Sequence, residues 1–115
     1  MKGLDDHLHG KSEHTVALFL HFVAEYKKLG DIHIHPTKSM IAIGAKKNVA
    51  YVTRLGKDFV DVVFPFDRPY NDNLCFKKIA QVPGQQQYNH HLRLMRTEDV
   101  NKEVKKFMKM ALSFD

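Results

Sequence analysis

The chain has 115 residues and a mass of 13.3 kDa, with 18 Lys and Arg against 13 Asp and Glu, a net charge of +5 and a pI of about 9.4. That length suits one domain around a single core, and 43% hydrophobic with 27% charged content excludes a disordered or fibrous chain. The longest apolar run, Val16 to Leu20, falls far short of the roughly 20 residues a membrane-spanning helix needs.

Residues 1–11 carry no periodicity and no apolar signal stretch, and they read as a flexible N-terminal segment ahead of one α+β domain over 12–115. Within it, Ser12 to Leu29 is the first strong helix. Ser12 is placed to accept an orphan backbone N–H, and Glu13 suits the positive end of the helix dipole. Gly30 is expected to close the helix in the left-handed conformation. Val16, Leu18, Phe19, Leu20, Phe22, Val23, Tyr26 and Leu29 form a broad apolar arc, as on a helix lying across a sheet. His14, His21, Glu25 and Lys28 share the polar side, where His21 and Glu25 are spaced to pair.

The period then changes from 3.6 to 2. Ile32 and Ile34 point one way and His33 and His35 the other, until Pro36 stops the strand. Met40 to Ile43 and Val49 to Leu55 read as further strands, with turns at 44–48 and 56–58. Phe59 to Phe66 is the most β-prone run, and Pro65 marks its far end as an edge or exit. Residues 67–73 form a loop, 74–82 suit either a short strand or a helical turn, 83–87 turn, and Tyr88 to Met95 is the last strand. Thr97 is placed to cap a final helix, with Glu98 and Asp99 in its first turn and Lys105, Lys106 and Lys109 toward its end. The expected fold is α+β: an antiparallel meander flanked by an N-terminal and a C-terminal helix, both in one layer on the sheet.

Charge divides unevenly along this order. Residues 36–96 hold ten cations against Asp58, Asp61, Asp67 and Asp72, a net of +6, while 1–35 carry −1 and 97–115 carry zero. Lys38, Lys46, Lys47, Arg54, Lys57, Arg93 and Arg96 interleave with Tyr51 and Tyr88, a mixture of cations and stacking rings found on nucleic-acid surfaces. Lys38, Arg54, Tyr51, Tyr88, His91 and Arg93 are therefore the candidate anion-binding residues. An ordinary solvated surface, with lysines serving solubility and charge protecting an edge strand, is the simpler account of the same cations, because the sequence does not show that they share a face.

A competing class is a histidine-based metal site or acid–base enzyme. His33 and His35 lie about 7 Å apart on one strand face, and one of His90 and His91 is free to join them from another strand. No ligand set closes from sequence, and no cofactor is expected. The flanks of Cys75, Leu74 and Phe76, suggest packing rather than a nucleophile. One cysteine makes no internal disulfide, so a reducing, cytoplasmic setting is expected. A third reading is a homodimer pairing through an exposed strand, either Ile32–His35 or Tyr88–Met95.

The segments 11–16, 37–43, 49–52, 88–94 and 98–100, taken together, resemble an uncharacterised small domain family of bacteria and archaea sometimes catalogued as "predicted transport protein". The similarity covers roughly 11–112. In that family the domain stands alone or ends longer chains, some with nuclease-like modules, which implies an accessory or binding role. The resemblance defines no functional residues.

Overall fold

Ser12 caps a long helix as its sequence dictates: the Thr15 N–H donates to Ser12 Oγ at 3.1 Å. In the computed structural model, which describes residues 3–113, this helix is the second of three. They are α1 (Leu4–Leu8), α2 (Glu13–Leu29) and α3 (Lys102–Ser113). Between α2 and α3 run β1 (His33–Pro36), β2 (Ile41–Gly44), β3 (Asn48–Leu55), β4 (Val60–Phe66), β5 (Phe76–Gln81) and β6 (Tyr88–Leu94). Residues 1–2 of the expected N-terminal segment and 114–115 of the expected domain lie outside the described residues.

All neighbours in the sheet are antiparallel, in the order β1-β2-β3-β4-β6-β5. The first four strands meander, and then β6 inserts between β4 and β5. The α+β architecture is therefore the one expected, and residues 74–82 resolve into the edge strand β5. Pro65 sits where β4 has run past its last pairing with β3 and still pairs with β6, opposite Asn89. A residue without an N–H is tolerated there. Because β6 is bonded on both sides, Tyr88–Met95 offers no free edge for a homodimer; β1 and β5 are the edges.

Alternation sorts the strands into two faces. Ile34, Ile41, Ile43, Val52, Val60, Val62, Phe64, Phe66, Leu92 and Leu94 lie under α2 and α3 together with Leu18, Phe19, Phe22, Tyr26, Val104, Phe107 and Met108. The Tyr26 hydroxyl crosses this layer to donate to the Met108 carbonyl at 2.8 Å, which ties α2 to α3. Glu25 adds a surface link, with Lys105 at 2.9 Å and Lys28 at 2.7 Å. The hydrogen bonds from Lys105 and then Lys28 pull its pKa from 4.5 to about 2. Glu25 thus pairs with lysines rather than with His21.

Three local expectations change. Gly30 ends α2 in extended backbone (φ −176°), not left-handed. Its small size matters instead, because a Cβ there would stand 2.8 Å from Leu112 Cδ1. The C-terminal helix begins at Lys102, not Thr97: Asp99 Oδ2 accepts from the Met95 and Arg96 N–H groups, closing a short 3-10 turn, and Asn101 Oδ1 then caps Val104. Near the N-terminus, where no regular element was expected, α1 packs Leu4 and Leu8 on the core, and buried His7 bonds the Thr37 carbonyl through Nε2 at 2.6 Å.

Candidate functional site

The helices occupy one side of the sheet, and alternation sends the remaining strand residues to the other. Register places His33 and His35 of β1, Tyr51 and Arg54 of β3, Asp61 and Val63 of β4, and Asn89, His91 and Arg93 of β6 on this open face. Two irregularities sharpen it. Between Val52 and Arg54 the register shifts against β4, and between Phe76 and Lys78 it shifts against β6. The second bulge brings two consecutive lysines to the same side, since an extra residue suspends alternation. Lys77 reaches Asp61 at 3.7 Å, and Lys78 stands opposite His91.

Asp61 is the charge around which the face is arranged. Arg93 holds it with a fork, Nε at 2.8 Å and Nη2 at 3.0 Å. Burial works to raise the Asp61 pKa, but the Arg93 hydrogen bond and the charges of Lys77, Arg93 and Arg54 outweigh it and hold the carboxyl below its ordinary value. The Arg93 guanidinium also lies 3.8 Å over the Phe59 ring, with Arg54 at 5.5 Å from the same ring. Asp61 thus faces Arg54, Lys77 and Arg93, with Lys78 beside them; Asp58 acts on Arg93 as well, and the patch keeps a positive excess. His91 lies at its margin. Burial, followed by the Lys78 and Lys77 charges, lowers its pKa below the ordinary histidine value and so favours the neutral ring. Beside it a hollow of about 350 Å³ is lined by Met40, Tyr51, Thr53, Val63, Gln87, Asn89 and His91.

Of the expected anion-binding residues, Tyr51, Arg54, His91 and Arg93 therefore share one face. Tyr88 does not: it pairs with Phe66 on the helix side. Lys38 lies in the exposed β1–β2 connection, off the strands. Lys77, Lys78 and Asp61 are the residues that sequence reasoning missed. A period of 2 assigns adjacent lysines to opposite faces, and no residue in 74–82 announces the bulge.

The histidines are not gathered as a metal site would need. His33 and His35 do meet on the open face, with ring centroids 4.6 Å apart. His90 points the other way. It is completely buried, accepts the Tyr70 N–H at Nε2 (3.1 Å) and lies within 2.8 Å of the Tyr88 carbonyl at Nδ1. Phe66, Tyr70 and Phe76 surround its ring. Among the described residues, no group of three or more His, Cys, Asp and Glu is arranged to hold a metal ion. Cys75 is half-buried, and burial together with the nearby Glu103 raises its thiol pKa to about 12, so it is no thiolate at neutral pH.

This small antiparallel sheet with one helical layer and one open, basic face belongs to a defined class of domain. A family model described as a domain of unknown function, DUF5655, matches residues 4–115, and the chain belongs to that family. The match includes α1 and fits the resemblance to a small uncharacterised domain family. No curated protein and no solved structure matches the chain. Among the described residues, no helix is long and apolar enough to cross a membrane.

Proposed function

We propose that the domain binds an anionic partner, single-stranded nucleic acid, on the open face of its sheet. The observation that carries this reading is the convergence of Arg54, Lys77, Lys78 and Arg93 with Tyr51 on the one sheet face that no helix covers. Flat strand surfaces with cations and exposed rings track a phosphate backbone while bases stack on aromatic or guanidinium planes. Arg93 and Arg54 offer such planes, braced from behind by Phe59. Asp61 holds Arg93 in place, and Asp58 also acts on Arg93 at longer range, but two carboxylates leave a positive excess among Arg54, Lys77, Lys78 and Arg93. The domain is then an accessory module that holds a strand rather than one that does chemistry on it.

The test is fluorescence anisotropy of a labelled single-stranded oligonucleotide titrated with the protein at two salt concentrations. The wild type should bind, and log K should fall with log salt by about 0.7 per phosphate contact. Lys77→Ala with Lys78→Ala should flatten that slope by up to about 1.4 and weaken binding roughly tenfold or more at low salt. An absence of binding at low salt, or a slope untouched by the double substitution, overturns the reading.

A further inference from the structure

The end of the sheet beside α1 carries a second hollow, distinct in character from the open face. It encloses about 410 Å³ and is walled by His7, by Lys11 in the α1–α2 link, by residues 39–41, and by residues 52–57 of β3 and its hairpin. That volume falls in the range of roughly 300–1,000 Å³ usual for small-molecule sites, more than a bare ion requires. Its lining contains Lys11, Arg54 and Lys57 and the hydroxyls of Ser39 and Thr53, but no carboxylate. Lys11 and Lys57 make no ion pair among the described residues. The nearby Asp6 is turned to its own helix, accepting the Gly3 N–H at 2.9 Å.

Both walls are pinned by side-chain bonds to backbone carbonyls. His7 ties α1 to Thr37 (2.6 Å), while Ser12 and Thr15 of the α2 N-terminus donate to Lys57 (2.6 Å) and Gly56 (2.7 Å). The cations are therefore carried on a fixed frame, which lowers the ordering cost of binding. We propose that this hollow binds the phosphoryl group of a phosphate monoester. Three cations and two hydroxyls around a concavity suit a dianion with several acceptor oxygens better than a carboxylate with two. Met40, Ile41 and Leu55 supply apolar wall for the organic part. The inference does not depend on the open-face reading: the two share Arg54, and Met40 and Thr53 also border the hollow beside His91, while Lys11 and Lys57 belong to this hollow alone.

The experiment is an amide NMR titration of the full chain with inorganic phosphate, a nucleoside monophosphate, and an oligonucleotide with and without a 5′-phosphate. Saturable shifts are expected at residues 39–41 and 53–57. Lys11→Gln with Lys57→Gln, both at exposed positions, should weaken phosphate binding at least about tenfold, and Lys77→Gln with Lys78→Gln should leave it unchanged. A monophosphate that binds as tightly as the phosphorylated strand identifies a free small molecule as the ligand, and tighter binding of the strand identifies a strand end. Absence of saturable shifts with every phosphate, or binding indifferent to Lys11→Gln/Lys57→Gln, overturns the proposal. If binding is lost instead with Lys77→Gln/Lys78→Gln, phosphate belongs to the open face, and only the hollow is refuted.

Discussion

The helix-covered face of the sheet satisfies its polar groups internally, whereas the open face holds its charges in partial pairs that water and solutes still reach. His90 and His91, adjacent on β6, display the difference. His90 is enclosed by aromatic rings with both ring nitrogens engaged by backbone. His91 borders a hollow lined by Tyr51 and Asn89 and feels the lysines of β5. Identical side chains one residue apart are structural on one face and available on the other. Substitutions on the covered face should therefore move stability, and those on the open face should move binding.

The largest effect is expected at Phe107. Its ring is fully buried and meets Phe76 (4.7 Å), Tyr70 (5.3 Å) and Phe66 (6.0 Å), joining α3 to the sheet and to the loop before β5. Phe107→Ala should cost about 3–5 kcal/mol, because the transfer free energy is lost and the cavity cannot fully collapse. Urea denaturation measures this. A loss below about 1 kcal/mol would mean that the aromatic cluster does not hold the two layers together.

A smaller, pH-dependent effect is expected at His90. Because the Tyr70 N–H donates to Nε2, Nδ1 carries the proton and donates to the Tyr88 carbonyl. Protonating Nε2 would set two donors against each other in a buried site. Burial already holds the His90 pKa below its usual 6.5. The unfolded chain therefore takes up the proton first. The stability due to neutral His90 is fully present above about pH 6.5 and is lost as pH falls from there to the depressed folded value. His90→Gln should cost about 1–3 kcal/mol at pH 7.5 and reduce the slope of stability against pH below 6.5. An unchanged slope in the variant would show that His90 is not the titrating group.

What the sequence made legible was whatever rests on local chemistry. Ser12 caps α2 because its hydroxyl, three residues before Thr15, is in reach of the orphan Thr15 N–H. Ile34 and His35 separated across β1 because successive strand residues oppose each other, and the α+β class followed from the change of period. Features set by distant partners were not legible. The insertion of β6 between β4 and β5 depends on pairing across the sheet, and it turned Tyr88–Met95 from a candidate edge into an interior strand. The register with β4, which sets His90 opposite Phe64, turns it to the core face beside Phe66, and three strands separate β6 from His33 and His35. The bulge at Lys77 reversed a face assignment with no marker in composition. Of the basic patch only Arg93 follows from alternation; Arg54, which alternation sets on the face opposite Tyr51, reaches the open face through the bulge after Val52, and the two lysines through the bulge after Phe76.

The finest test of the contrast between the faces is Asp61→Asn, which should act on both quantities in opposite directions. The carboxylate organises Arg93, Lys77 and, at longer range, Arg54, so its neutralisation removes a charge-assisted fork and leaves those cations repelling one another. Stability should fall modestly, because the Arg93 side chain is 36% exposed and water screens much of the interaction. Binding of a single strand should gain, since the face carries one more uncompensated positive charge and the Arg93 guanidinium is released to meet phosphate. The log–log salt slope should steepen by about 0.7, the value for one further phosphate contact. Thermal melts and the two-salt titration on the same preparation read both effects. If Asp61→Asn weakens binding at every salt concentration, Asp61 is needed to aim Arg93, and geometry rather than net charge governs recognition on the open face. If neither quantity moves, the charges of this face are independent of one another and the arrangement around Asp61 has no consequence for binding.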